Sequence, residues 1–369
     1  MTRAKRKSVA SDPVDLACRL NDEAVACYDE GQHKKAERLF RRAISLLEEA
    51  EGPDSPDVAA VINSLAAILE NRCDYDEAAR LYERAVNIVQ ELNGDEEIER
   101  LRIESLSNLG RIFRMQCRYD QSEPLLLRAR ALVEKQFGPR SLEIAGALND
   151  LGMLYKFTAR FNEALPLYRR ALKIIERQLG PDHPSLASIY HNLGGLEHAR
   201  GRYARGEPFA RRSVELRERA FGPDHPEVAA DVAALAALLD GQGKYDEAEP
   251  LYRRALSTFE RLYGSEHYEI AVNLNNLAAV RQARGDPQEA EAMYTRALRI
   301  KEKLFGKTNT EVAMTANNLA VLYKAEGKVG KAKTLYRRAL KIFEKELGPK
   351  HPHTTTCREN YESLTAENS

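Results

Sequence analysis

ALKIIERQLGPDHP, residues 171–184, holds the end of one helix, a stop signal and the start of another. It recurs as SVELRERAFGPDHP at 213–226 and as ALKIFEKELGPKHP at 339–352. The glycines in this slot, Gly138, Gly180, Gly222, Gly264, Gly306 and Gly348, follow one another at intervals of 42 residues. A fixed period of that size marks one supersecondary unit stacked on copies of itself. Pro184, Pro226 and Pro352 then suit the first position of the next helix, where no amide donor is missed.

Spacing within one period predicts a pair of helices. Leu148, Leu151 and Tyr155 fall at i, i+3 and i+7, on one helix face. Ala164, Leu167, Tyr168, Ala171, Leu172 and Ile175 mark the buried face of a second helix. Between them lies a short polar turn, 158–163, and its equivalents carry Gly201, Gly243, Gly285 and Gly327. Glycine fits there because helices commonly end on a left-handed residue. Small residues recur where the two helices should touch, among them Gly110, Gly152 and Gly194 in one column and Ala85, Ala171 and Ala255 in another. Small side chains let helix axes approach closely.

The chain therefore divides into a basic disordered tail at 1–14, eight repeats and an end. The repeats fall at about 15–55, 56–97, 98–140, 141–184, 185–226, 227–268, 269–310 and 311–352. Residues 353–369 read as a capping helix and tail, because the last repeat of a stack would otherwise leave an apolar face in water. The junction NGDEEIERLRIES, 93–105, lacks the Gly-Pro stop and should be less regular and more mobile.

Composition narrows the classes. The chain has 369 residues, 43% hydrophobic and 30% charged, which fits a soluble helical protein. Its 56 basic and 56 acidic residues balance, against the basic excess that phosphate contacts demand. An RNA-binding helical repeat is disfavoured on that ground, and no nucleic-acid partner is expected. The five cysteines, Cys18, Cys27, Cys73, Cys117 and Cys357, are scattered without a CxxC pair; free thiols suggest a reducing compartment, and a cytoplasmic location is expected. No apolar run approaches the roughly 18 residues that span a bilayer, so no membrane insertion is expected.

The pattern L-G/A, then Y, then A, then L-Y-x-R-A-L resembles the tetratricopeptide repeat. The 42-residue period and the GPDHP connector resemble the kinesin light chain variety of that family. The resemblance covers about 15–365 and is weaker in the first repeat, where Glu23 replaces a leucine, and in the third. It implies an all-α fold, a right-handed superhelical solenoid of about eight helix-turn-helix tetratricopeptide repeats plus a C-terminal capping helix. It also implies peptide binding on a concave face lined by the first helices. The heptad coiled coil that joins kinesin light chains to their motor is absent, so a motor role does not carry over.

No nucleophile motif, phosphate loop or zinc motif occurs, and the chain reads as no enzyme, with no cofactor and no metal. His183, His225 and His351 recur in the connector, with His267 in a variant. One zinc needs its ligands about 2 Å away, and equivalent positions on successive repeats lie about 20 Å apart. These histidines are expected to cap the next helix. An arginine precedes one small-residue column in every repeat, for example Arg84, Arg170, Arg212 and Arg254. It reads as a stem on the neighbouring helix with its head paired to an acid, and the tyrosine column, including Tyr82 and Tyr168, reads as core.

In the family the groove position lies three residues before the first-helix small residue. Here that column includes Asn63, Ser107, Asn149, His191, Asn275 and Asn317. An asparagine amide donates and accepts, so it can hold an extended peptide backbone without reading its side chains. One turn on, the column carries Arg114, Lys156 and His198, with Arg111 and Arg217 nearby and Phe157 as an apolar anchor. The middle repeats thus look basic, and the expected partner is a protein or peptide with an acidic stretch. The expected function is a protein-protein interaction scaffold or adaptor. The alternatives are a regulatory or sensor module for a separately encoded effector, or a self-assembling structural protein. The sequence leaves open the partner's identity and the oligomeric state.

Overall fold

A positive-φ turn after seven of the eight second helices sets the architecture. Gly52, Gly138, Gly180, Gly222, Gly264, Gly306 and Gly348 all take positive φ, the conformation that a residue without Cβ reaches at no steric cost. The computed structural model describes residues 12–366 apart from 73 and 93, so the N-terminal tail assigned to 1–14 lies outside the described residues up to position 11. Among the described residues there are seventeen helices and no strand.

Two compact units divide the chain after Gln178. The first holds four hairpins. They are α1 (Pro13–Asp29) with α2 (His33–Glu51), α3 (Pro56–Asn71) with α4 (Tyr75–Glu91), α5 (Glu96–Met115) with α6 (Tyr119–Phe137), and α7 (Leu142–Phe157) with α8 (Phe161–Leu179). The second holds α9 (Leu186–Ala199) with α10 (Tyr203–Phe221), α11 (Pro226–Asp240) with α12 (Tyr245–Tyr263), α13 (Tyr268–Ala283) with α14 (Pro287–Phe305), and α15 (Thr310–Ala325) with α16 (Val329–Glu346). A single helix, α17 (Pro352–Ala366), then packs on α16 and α15. Within each unit the first helix of a hairpin touches its own partner, the preceding second helix and the neighbouring first helix.

The junction at 93–105 is helical from Glu96. Asp95 caps it, its carboxylate accepting from the amides of Glu97 and Ile98 at 3.0 and 3.3 Å. This cap substitutes for the glycine-proline stop. His225, His267 and His351 cap helices in the same way, while His183 makes the same bond to Ser185 just ahead of α9. Nδ1 of His183, His225, His267 and His351 accepts from the amide two residues on, at 3.2–3.3 Å. His225 also stacks on Phe221 and His267 on Tyr263, with ring centroids 4.6 and 4.2 Å apart.

The small columns are occupied as their spacing requires. A Cβ on Gly152 would stand 2.6 Å from the Tyr168 ring, and one on Gly110 would stand 2.6 Å from Leu126. Tyr82, Tyr168, Tyr252, Tyr294 and Tyr336 are buried. The arginine column ties hairpins together through its heads. Arg84 meets Glu48 at 2.6 Å and the Pro53 carbonyl, Arg170 meets Glu134 at 2.9 Å and the Pro139 carbonyl, and Arg254 meets Glu218 at 2.5 Å and the Pro223 carbonyl. Each clamp fixes the acid of one second helix and the connector behind it to the next second helix.

Among the described residues two hairpin turns take positive φ without a glycine. Cys117 and Ala159 take φ of 59° and 57°, where the equivalent Gly201 and Gly243 take 66° and 73°. A Cβ in that region costs roughly 1–2 kcal/mol, and glycine gives back part of this through its looser unfolded chain. Ala159→Gly is therefore expected to stabilise the last hairpin of the first unit by about 0.5–1 kcal/mol. Hydrogen exchange of α7 and α8 amides would slow; faster exchange would show that the alanine is not strained.

Candidate functional site

The first-helix face of the first unit carries charge that the fold does not fully use. Arg111 on α5 reaches back to Glu70 on α3, with Nε donating to Oε1 at 2.8 Å and a terminal nitrogen donating to Oε2 at 2.9 Å. The Tyr82 hydroxyl donates to the same carboxylate at 3.1 Å. Burial works against the Arg111 charge, and the Glu70 hydrogen bonds and charge more than restore it, so its pKa is raised. This three-way contact is satisfied within the fold and leaves Arg111 little to offer a ligand.

Arg114, one turn further along α5, differs. It is buried, 8% exposed, and has no hydrogen bond or ion pair among the described residues. Burial lowers its pKa, with the charge of Asp150 opposing that. Asp150, on α7, is half-buried. Burial raises its carboxyl to about 6, against the pull of Arg111 and Arg114. Lys156 lies two turns along α7 from Asp150. Burial first, and the Arg114 charge second, lower its pKa to about 8. Phe157, 52% exposed, lies beside both cations. Arg114 Cζ lies 5.3 Å from its ring centroid and Lys156 Nζ lies 5.1 Å from it. Met115 is exposed on the adjacent helix.

An exposed aromatic ring thus lies beside two cations that form no ion pair among the described residues. A cation with no partner in a half-buried place keeps its desolvation cost and gains when an anion arrives. The ring supplies apolar area for a neighbouring side chain. At the other end of this face, α1 and α3 enclose a cavity of about 240 Å³ that includes Asn21, Asp22 and Asp57. The face is thus acidic at one end and basic at the other.

The remaining residues singled out in the sequence fall into three groups. Ser107 and Asn149 sit half-buried on the same face, and the Asn149 amide approaches Met153 Sδ at 3.9 Å. In the second unit His198 is exposed with its ring edge-on to Tyr203, and Asn275 and Asn317 are half-buried. Asn275 donates to Asn276 at 3.3 Å and accepts from Asn318 at 3.2 Å, while Asn317 Oδ1 is buried without a hydrogen-bond partner. Three assignments require correction. Asn63 is 2% exposed and donates to Ser105 on the next first helix at 2.8 Å, so it ties two repeats instead of facing a ligand. Arg111 is held by Glu70, as above. Arg217 lies on α10, a second helix, and its head is taken by Asp231 at 3.3 Å, Ser188 at 2.8 Å and Glu227.

His191 belongs to that same buried network. Its Nδ1 lies 2.6 Å from Asp231 Oδ1, and the Ser213 hydroxyl donates to the other carboxylate oxygen at 2.5 Å. The Ser213 hydroxyl thus points to the carboxylate and not to the imidazole, so the three residues form a structural tie between α9, α10 and α11 with no activated nucleophile. Asp150 and Asp231 were not singled out in the sequence. Asp150 had a visible signal, as an acid in a column that holds asparagine at 108, 192, 276 and 318.

A tetratricopeptide repeat model matches residues 15–91, 101–177, 143–205, 185–261 and 228–303, and a second tetratricopeptide repeat model matches 312–353. Among solved structures, BtubC (BKLC) from P. vanneervenii is 27% identical with a TM-score of 0.50, over 64% of this chain and 93% of that one. A Podosopora anserina structure described by its kinesin light chain nearly identical TPR-like repeats is 23% identical with a TM-score of 0.46, over 54% and 94%. A Rap protein complexed with Competence and Sporulation Factor is 13% identical with a TM-score of 0.62, over 96% and 98%, a likeness of fold alone. No curated protein matches the chain in sequence.

Proposed function

Because the chain belongs to the tetratricopeptide repeat family, in its 42-residue kinesin light chain-like form, we propose that it is a protein-binding scaffold whose first unit takes an extended, acidic segment of a partner. The observation that carries this reading is the exposed Phe157 ring beside Arg114 and Lys156, two cations with no ion pair among the described residues. A carboxylate of the partner meets those cations, and a flanking apolar side chain covers Phe157 and Met115. Ser107 and Asn149 lie on the same face and hold the partner's backbone, as amide and hydroxyl groups can. In the second unit His198, Asn275 and Asn317 serve other parts of a partner.

No helix among the described residues is long and apolar enough to cross a membrane. Cys18, Cys27, Cys117 and Cys357 are free thiols, which suits a reducing compartment, and we place the protein in the cytoplasm. The repeat fold serves as a scaffold, and the role proposed here is binding without catalysis.

Selection from a random peptide library by the purified chain tests the reading. Peptides enriched by the wild type are expected to carry Asp or Glu beside an apolar residue, and Phe157→Ala, which removes an exposed ring and leaves the core intact, is expected to lose most of that enrichment. Equal enrichment by both proteins, or enrichment indifferent to acidic residues, would contradict it.

A further inference from the structure

Three connectors of the second unit share a charge pair, while a fourth carries Thr308 at the equivalent position. Asp182 accepts from Arg219 at 3.5 Å, Asp224 pairs with Arg261 at 2.8 Å, and Glu266 pairs with Lys303. In each case an acid just after the connector glycine meets a cation 37 residues later, in the last turn of the next second helix. The first unit breaks this pairing. Position 140 is arginine, and the residue 37 further on is Arg177, in the last turn of α8. Both cations are exposed. The pair that is attractive at those three connectors is here repulsive.

The space between them is a cavity of about 450 Å³, lined by Pro139, Arg140, Arg170, Lys173, Arg177 and Gln178, with Ile174 at its floor. Arg170 is neutralised by Glu134 at 2.9 Å. Arg140, Lys173 and Arg177 have no ion pair or side-chain hydrogen bond among the described residues. The Gln178 side chain donates to the Arg140 carbonyl, which fixes the connector and leaves the guanidinium unpaired. No carboxylate lines the cavity. This place lies at the opposite end of the hairpin from Lys156 and Phe157, about 24 Å along a helix of 16 residues.

We propose that Arg140, Lys173 and Arg177 form an anion site that takes a phosphate group. Three unpaired cations around one cavity exceed what a single carboxylate can balance. A phosphate ester carries about −1.5 to −2 charges and three acceptor oxygens, and guanidinium forks match phosphate in bidentate fashion. The source is either a free phosphate compound or a phosphorylated side chain of a partner, and the chemistry of recognition is the same. The site is separate from the acidic-peptide face and uses the second helix of its hairpin.

The test is calorimetric titration of the full chain at low salt with two probes, pyrophosphate and a short phosphoserine peptide with its unphosphorylated form as control. The key variant is Arg140→Asp. It gives Arg177 the partner that Asp224 gives Arg261, so it is expected to fold at least as stably as the wild type. Its affinity for either phosphate probe is expected to fall at least 10-fold, while Lys156→Glu is expected to leave the pyrophosphate affinity unchanged. Tighter binding of pyrophosphate supports a free ligand, and tighter binding of the phosphoserine peptide supports a partner protein. The proposal is overturned if neither probe binds the wild type, if Arg140→Asp binds as well as wild type, or if Lys156→Glu abolishes pyrophosphate binding.

Discussion

Lys156→Glu is expected to lower the affinity for an acidic peptide by about 100-fold and to leave the helices folded. The new carboxylate repels the ligand, and it also gives Arg114 a second acid beside Asp150, so both cations beside Phe157 are lost to the ligand together. Hydrogen bonds to charged groups contribute about 1.5–3 kcal/mol each, and about 2.7 kcal/mol corresponds to the 100-fold stated. The same lysine sets a pH dependence. Burial and the nearby Arg114 bring it to about 8, so peptide affinity falls as pH rises from 7 to 9. An ordinary surface lysine stays charged through that range. Fluorescence anisotropy with a labelled peptide, run against pH, measures both effects. Undiminished binding by Lys156→Glu, or a flat profile between pH 7 and 9, would remove Lys156 from the site.

Asp150→Asn is expected to act in the opposite direction on both stability and binding. Burial raises the Asp150 carboxyl from 3.8 to about 6. Between those values the folded state holds a proton that the unfolded chain has released, so wild-type stability falls as pH rises through that window. Above it the ionised, half-buried carboxylate is a standing cost. A shift of this size makes the variant about 1–3 kcal/mol more stable at pH 7, and the gain disappears below about pH 4, where the carboxyl is protonated in both states. Above pH 6 ionised Asp150 also competes with a ligand for Arg114, so the variant binds acidic peptides more tightly at pH 7 and equally at pH 5. Urea unfolding at pH 4 and pH 7 measures the first effect. A variant destabilised at pH 7 would show instead that the carboxylate is a net stabilising partner of Arg111 and Arg114.

The repeat grammar was legible in the sequence because each element of it depends on local geometry that recurs. The GPDHP connector announced a left-handed glycine and a capped helix, and the structure uses both, with the histidine as the capping acceptor. The arginine column read as a structural clamp, and Arg84, Arg170 and Arg254 are clamps, each closing on the acid 36 residues before it, while Arg212 closes on Asp182 and Glu215. Pairing on the first-helix face was not legible. Position alone put Asn63, Arg111 and Arg217 beside the ligand, yet Asn63 turns to Ser105, 42 residues on, and Arg111 to Glu70, 41 residues back. A column fixes the face of a helix from which a side chain leaves. It does not fix the rotamer, and a long guanidinium stem reaches whichever acid the adjacent repeat supplies. Arg217 failed for a simpler reason, since it belongs to α10 and meets the buried Asp231. What separates Arg114 and Lys156 from these is that no acid closes a hydrogen bond or ion pair on them among the described residues, although the Asp150 charge acts on Arg114, a property of three elements together. The broken connector pairing at Arg140 is of the same kind, since its meaning appears only when Asp224 and Glu266 are seen paired.

The chain contains no tryptophan, so Phe157→Trp places a single reporter at the centre of the proposed site. Titrating this variant with an acidic peptide enriched in selection, and with the same peptide carrying Gln for Glu, tests the central claim most directly. A saturable blue shift of the tryptophan emission with the acidic peptide, weakened by salt and by raising the pH past 8 and much reduced for the glutamine peptide, is the result expected. An emission spectrum that stays unchanged while the peptide binds, or that shifts equally with both peptides, would contradict it.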